Sequence, residues 1–137
     1  MSESCIGRFL LDILFNIILI MGKITKNFSQ EEFEHSNTAL KCGFANHVPT
    51  RLHENMRKTL EVLQMARDIL GSPIYITSGY RSRRLNELVA GAKNSYHMSA
   101  RAVDVRCDDN DSLNAILASL PHVELIYHYP NFIHFAV

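Results

Sequence analysis

Two apolar segments of this chain each contain one polar side chain where a plain core strand would carry none. Asp104 interrupts the run "RAVDVRC", and His134 interrupts the run "NFIHFAV". Alternation along a strand places Asp104 and His134 each on one face of an otherwise apolar segment. Burying an unpaired carboxylate costs several kcal/mol unless a cation or hydrogen bonds compensate it. The chain is therefore predicted to fold around a shared polar site in a small sheet.

A third candidate ligand lies just upstream of Asp104. His97 precedes it by seven residues in "KNSYHMSARAVDV", residues 93–105, and is expected to be exposed. Zinc held by His97, Asp104 and His134 would supply the cation and leave a fourth position for water. Iron bound by two histidines and one carboxylate uses the same ligand types. Spacing does not choose between these metals, nor does it exclude an ordinary core histidine beside a loop-capping aspartate.

The first half of the domain predicts helices. "NFSQEEF" contains a capping box, with Ser29 as N-cap and Glu32 three residues later. A loop is predicted over residues 37–49. From Thr50 the apolar residues recur at helical spacing until Gly71, which is a typical helix stop. This segment is predicted to be the longest helix.

The second half predicts strands. "SPIYITS" is a strand followed by a turn at Gly79, and "SRRLNELVAG" is a short helix ending at Gly91. A further helix begins near Asp111 as its cap, and the chain ends in two strands joined at Pro130-Asn131. Helices first and strands later favour an α+β fold with a small antiparallel sheet and flanking helices.

The first 22 residues differ from the rest. "RFLLDILFNIILIMGK" is strongly apolar but interrupted by Asp12 and Asn16, and its apolar stretch is shorter than the roughly 20 residues of a membrane span. We expect a weak signal-anchor, a helix that contacts the membrane surface through residues 9–20, or an extension upstream of a start at Met21. The last is favoured because "MGKITKNF" is typical of a domain beginning. Residues 1–22 are thus interpreted as an extension or weak anchor, and 23–137 as one domain.

Charge argues against one class of partner. The chain has 14 basic and 14 acidic side chains, and its longest basic run is "RSRR". A nucleic-acid-binding domain needs a basic surface. We therefore expect no nucleic acid partner, and we expect a monomer.

The motifs, taken together, resemble a known family. "SYHMSARAVDV" is similar to the S-x-H-x-x-G-x-A-x-D stretch of zinc D-Ala-D-Ala peptidases, whose fold is shared with lysostaphin-type enzymes and hedgehog. "ITSGYRS" resembles the segment before that motif, and "ELIYHYPNFIHFAV" resembles the closing strand. The resemblance runs from about residue 24 to residue 137. It implies a hedgehog/D-Ala-D-Ala peptidase-like fold with zinc bound by His97, Asp104 and His134.

The resemblance also implies an activity. The chain would be a zinc metallopeptidase acting on peptidoglycan stem peptides, either as a D-Ala-D-Ala carboxypeptidase or as an endopeptidase that cuts cross-links. Zinc would polarise the scissile carbonyl and lower the pKa of its bound water to about 7. Arg81 would bind a substrate carboxylate or the developing oxyanion. A phage lysis enzyme (endolysin) released from the cytoplasm and a weakly membrane-anchored enzyme remain open.

Two departures from the family pattern bear on this reading. Ala100 replaces a glycine after the zinc histidine, which is tolerable only if the backbone does not need a positive φ. Asn131 stands where many relatives carry a glutamate general base. His128 is therefore predicted as general acid/base, with Glu124 in reserve. A non-catalytic, zinc-stabilised module that binds the cell wall or a protein is the alternative.

Overall fold

The computed structural model describes residues 3–137, with side chains described over 6–14 and 22–137. Helix α1 spans Glu3–Gly22 and its described apolar side chains are exposed. Among the residues that the structure describes, no helix is both long and apolar enough to cross a membrane. The predicted membrane contact of residues 9–20 falls partly on side chains outside the described ones.

Two short helices precede the longest one. Helix α2 spans Gln30–Glu34, and the Ser29 hydroxyl accepts from the Glu32 N–H, which confirms Ser29 as the N-cap. Helix α3 spans Asn37–Lys41, so the prediction of a loop beginning at residue 37 is wrong. The reason is local, because the Ser36 hydroxyl accepts from a backbone N–H three residues on and caps a helical turn.

Helix α4 spans His53–Leu70 after a 3₁₀ turn at Thr50–Leu52, as the apolar spacing predicts. It ends at Gly71, whose φ of 74° places it in the left-handed region that glycine adopts without strain. Its inward side chains, among them Leu60 and Leu63, are fully buried. Helix α4 therefore supplies one wall of the core.

The sheet has four antiparallel strands in the order β1-β2-β4-β3. The strands and the remaining helices are β1 Tyr75–Ser78, α5 Arg83–Leu88, β2 Ala102–Arg106, α6 Asn110–Ser119, β3 Leu125–His128 and β4 Ile133–Ala136. Six helices and this sheet, within residues 3–137, confirm the predicted α+β class. The hairpin turn at Pro130-Asn131 is closed by the Tyr129 N–H, which donates to the Phe132 carbonyl oxygen at 2.9 Å.

Two predicted helix ends are corrected. Helix α5 ends at Leu88 rather than at Gly91, because Ala90 adopts a left-handed φ of 55°. The cap of α6 is Asp109 rather than Asp111, since the Asp109 carboxylate accepts from the Ser112 N–H at 3.0 Å. Each correction follows from one backbone turn that apolar spacing does not encode.

The two faces of the sheet have different roles. One face is apolar and fully buried, and its side chains join those of α4 and α6 in a single core: Val103, Val105, Ile133 and Phe135. The other face carries Asp104 and His134, which are directly opposite each other on β2 and β4. The sheet thus separates the hydrophobic core from a polar site.

Candidate metal centre

Three side chains converge on the polar face of the sheet. His97, Asp104 and His134 each offer one ligand atom, and these atoms all lie within 4.8 Å of one another. Nδ1 of His134 is 2.7 Å from Oδ1 of Asp104, and Nε2 of His97 is 3.3 Å from the same oxygen. The structure therefore brings together all three residues that the sequence predicts as metal ligands.

His97 is buried rather than exposed as predicted. It is 2% exposed, and it lies in the 3₁₀ turn Tyr96–Ser99, just before β2. Its Nδ1 is 2.7 Å from the Gly79 carbonyl oxygen, which can only accept a hydrogen bond. That contact assigns the proton to Nδ1 and leaves the lone pair of Nε2 pointing at Asp104, as a metal-binding histidine requires.

The turn that carries His97 is held from two sides. The Ser95 hydroxyl accepts from the His97 N–H at 3.2 Å, which orients the start of the turn. From α4, Asn55 Nδ2 donates to the Ser99 carbonyl oxygen at 3.1 Å, and the Thr59 hydroxyl donates to the Ala100 carbonyl oxygen at 2.8 Å. Helix α4 therefore positions the His97 ligand through the loop backbone.

Ala100 does occupy a backbone position that favours glycine. Its φ is 59° and ψ 25°, in the left-handed region, and its methyl group is fully buried. A left-handed residue other than glycine costs roughly 1–2 kcal/mol. The backbone at Ala100 therefore does need a positive φ, and alanine is strained there. The hydrogen bond from Thr59 is one of the contacts that hold this conformation.

The carboxylate of Asp104 is held in its charged form. Burial raises its pKa, but the hydrogen bond from His134 and the closeness of both imidazoles outweigh burial and lower the pKa to about 2. Asp104 is only 8% exposed. A buried anion between two imidazoles is a donor set that a divalent cation would complete.

Arg81 contacts the outer oxygen of this carboxylate. Its Nη2 lies 3.5 Å from Oδ2 of Asp104, its Nη1 lies 3.4 Å from Oδ1 of Asn86, and its Nε lies 3.3 Å from the Ser78 hydroxyl. Burial lowers the pKa of the Arg81 guanidinium, and the charge of Asp104 opposes that effect. Arg81 therefore lies beside the cluster and makes three long polar contacts there.

The cluster forms the floor of an open cleft of about 420 Å³. Its aromatic walls are Tyr96, Tyr127, Tyr129 and Phe132. Two imidazoles and one carboxylate below an open cleft fit zinc of the catalytic type, which keeps three protein ligands and an open position. The donor set and the access from the cleft both match that requirement.

His128 and Glu124 are not brought to the cluster. In the hairpin register Tyr127 is opposite His134, so the next residue, His128, faces the other side of the sheet. Nε2 of His128 is 3.5 Å from Oδ1 of Asp111. Glu124 accepts from Arg101 at 3.1 Å and lines a different cavity. Strand alternation separates both predicted bases from the metal ligands.

Tyr127 was not among the predicted site residues. Its ring is 6.0 Å from the His134 ring and nearly parallel to it, and Tyr129 continues the same wall. The signal was present in the sequence, because a two-residue turn at Pro130-Asn131 pairs Tyr127 with His134. Only the strand order shows that this face is the polar one.

A small α+β domain with two histidines and one aspartate at the floor of a cleft is typical of a metal-dependent hydrolase. The chain belongs to the Peptidase M15 family, whose match covers residues 26–136. Members of this family are zinc-dependent metallopeptidases, and the match confirms the resemblance to zinc D-Ala-D-Ala peptidases at the level of the family. Comparison with individual curated proteins gives no match.

Proposed function

We propose that this protein is a zinc-dependent peptidase that hydrolyses peptide bonds involving D-amino acids in peptidoglycan. It would act in cell-wall degradation, either in phage lysis as an endolysin or in bacterial wall remodelling. The observation that carries the proposal is the convergence of His97, Asp104 and His134 within 4.8 Å at the floor of a cleft beside Arg81. Membership of the Peptidase M15 family supports the reaction class.

Zinc, when bound, supplies a Lewis acid that polarises the scissile carbonyl and lowers the pKa of water. The chain supplies the geometry. The Gly79 carbonyl holds the proton of His97 on Nδ1, and Oδ1 of Asp104 faces both histidines. These contacts keep the three ligand atoms oriented before any substrate enters.

Arg81 is suited to stabilise negative charge that develops on the substrate carbonyl oxygen. Each of its three nitrogens makes one polar contact, and each terminal nitrogen carries two hydrogens. One N–H therefore remains on Nη1 and one on Nη2. A guanidinium held beside the metal ligands is an effective oxyanion donor.

One observation favours a second candidate function. Apart from Asp104 and the two histidines of the cluster, no carboxylate or imidazole lines the cleft, as far as the described residues go. The ionisable side chains that remain there are Arg81 and three tyrosines. A non-catalytic, zinc-stabilised module that binds the cell wall would need no general base.

The two candidates differ in turnover. Zinc content of the purified protein is measured first, and the zinc-loaded protein is then incubated with defined muropeptides whose products are read by mass spectrometry. We expect one zinc per chain and one cleaved bond. Asp104→Asn should lose both properties, whereas His122→Ala should keep both because that exposed histidine is remote from the cluster. One zinc per chain with intact muropeptides would instead favour the binding module.

A further inference from the structure

Arg81 lines two cavities rather than one. The cleft above the cluster has a volume of about 420 Å³, and the second cavity has a volume of about 310 Å³. Ser78 lines the second cavity, and its cross-strand partner Asp104 lines the first. Both volumes fall within the roughly 300–1,000 Å³ of ligand sites.

The two cavities differ in chemistry. Aromatic side chains and the metal ligands line the first, whereas hydroxyl groups line much of the second, including those of Ser36, Thr38 and Thr77. Hydroxyls both donate and accept hydrogen bonds without charge. The second cavity is therefore suited to the neutral amides of a peptide segment.

The position of the positively charged Arg81 side chain also bears on which peptide bond is cut. Arg81 is the one lysine or arginine that lines either cavity within the described part of the chain. A carboxypeptidase must hold the terminal carboxylate of its substrate, most simply by a cation at a closed end. Here Nη2 of Arg81 lies 3.5 Å from Oδ2 of Asp104, and the same side chain also lines the second cavity, so the cleft does not close on a free cation.

We propose that the enzyme is an endopeptidase whose substrate crosses Arg81, with a neutral segment on the far side of the scissile bond occupying the hydroxyl-lined cavity. This inference rests on the proposed function. Water adds across an internal C–N bond, so that one product gains a carboxylate and the other an amine. The preferred substrate is thus a peptide that continues beyond the bond that is cut, as in a peptidoglycan cross-link.

Two synthetic peptides test this directly. One ends in D-Ala-D-Ala with a free carboxylate, and the other has the same sequence extended by further residues after the same bond. The zinc-loaded protein should cleave the extended peptide with at least a tenfold higher kcat/KM. A preference for the free carboxylate would overturn the inference and leave the proposed peptidase standing. Failure to cleave either peptide, with one zinc bound, would overturn both.

A pair of variants tests whether the substrate occupies the second cavity. Thr38→Phe places a ring in the hydroxyl-lined cavity, whereas Thr50→Phe places one at an exposed position outside both cavities. Thr38→Phe should lower kcat/KM for the extended peptide at least tenfold with zinc content unchanged, and Thr50→Phe should leave both values unchanged. An unaltered kcat/KM in Thr38→Phe would show that substrate does not enter this cavity. If Thr38→Phe fails to fold, the comparison of the two peptides still decides the inference.

Discussion

Gly79 connects the fold to the metal centre, which makes Gly79→Ala a sharp perturbation. A Cβ at this position would lie 2.1 Å from the Phe33 carbonyl oxygen and 2.9 Å from its carbonyl carbon. Carbon–oxygen contacts in proteins are rarely closer than about 3.3 Å, so the two segments must separate by about 1 Å. The Tyr80 N–H donates to the same Phe33 oxygen at 2.8 Å and resists that movement.

The expected effect has two components. Overpacking against a buried backbone costs roughly 1–3 kcal/mol of folding free energy. The second component is local, because the Gly79 carbonyl oxygen accepts from His97 Nδ1 at 2.7 Å. Disturbing the group that orients a metal-binding histidine lowers metal affinity about 10–100-fold. The Gly79→Ala variant should therefore lose both folding stability and zinc affinity, although Gly79 is not a zinc ligand.

The assay combines urea unfolding of the metal-free protein with zinc competition against a chromophoric chelator. Gly7→Ala is the control, since a Cβ there meets no atom within 4 Å. It should change neither the unfolding midpoint nor the zinc affinity by a comparable amount. If Gly79→Ala lost stability but kept the parental zinc affinity, the Gly79 carbonyl would not be what orients His97.

Three further predictions concern contacts around the site. Asn46→Ala should lower the free energy of unfolding by about 1–3 kcal/mol in a urea titration. The reason is that the buried Asn46 amide forms hydrogen bonds with three backbone groups, including the Tyr80 carbonyl and the Ser82 N–H. A loss below about 0.5 kcal/mol would contradict this. Thr59→Val removes the hydrogen bond to the Ala100 carbonyl and should lower the free energy of unfolding by about 1–3 kcal/mol in the same titration. It should also weaken zinc binding. An unchanged zinc affinity would mean that α4 does not position the ligand loop. Ala100→Val should destabilise more than either, as seen in the thermal midpoint, since a β-branched residue is added at a left-handed, fully buried position; a near-neutral result would show that the backbone relaxes.

Much of the local structure could be predicted from sequence because its causes are local. The Ser29 capping box, the left-handed stop at Gly71 and the alternation around Asp104 and His134 all depend on residues a few positions apart. Some of the errors are local as well. Asp109 caps α6 in place of the predicted residue because two neighbouring aspartates offered the same chemistry and only the backbone conformation chose between them.

By itself, the sequence determined the class of fold, the residue types of the metal cluster and the family to which they belong. Tertiary structure alone decided that His97 is buried against the Gly79 carbonyl and that Arg81 lines two cavities. The physical reason is the range of the interactions. Alternation tells which residues of a strand share a face, but the order of the strands and the packing of distant loops decide which face holds the site.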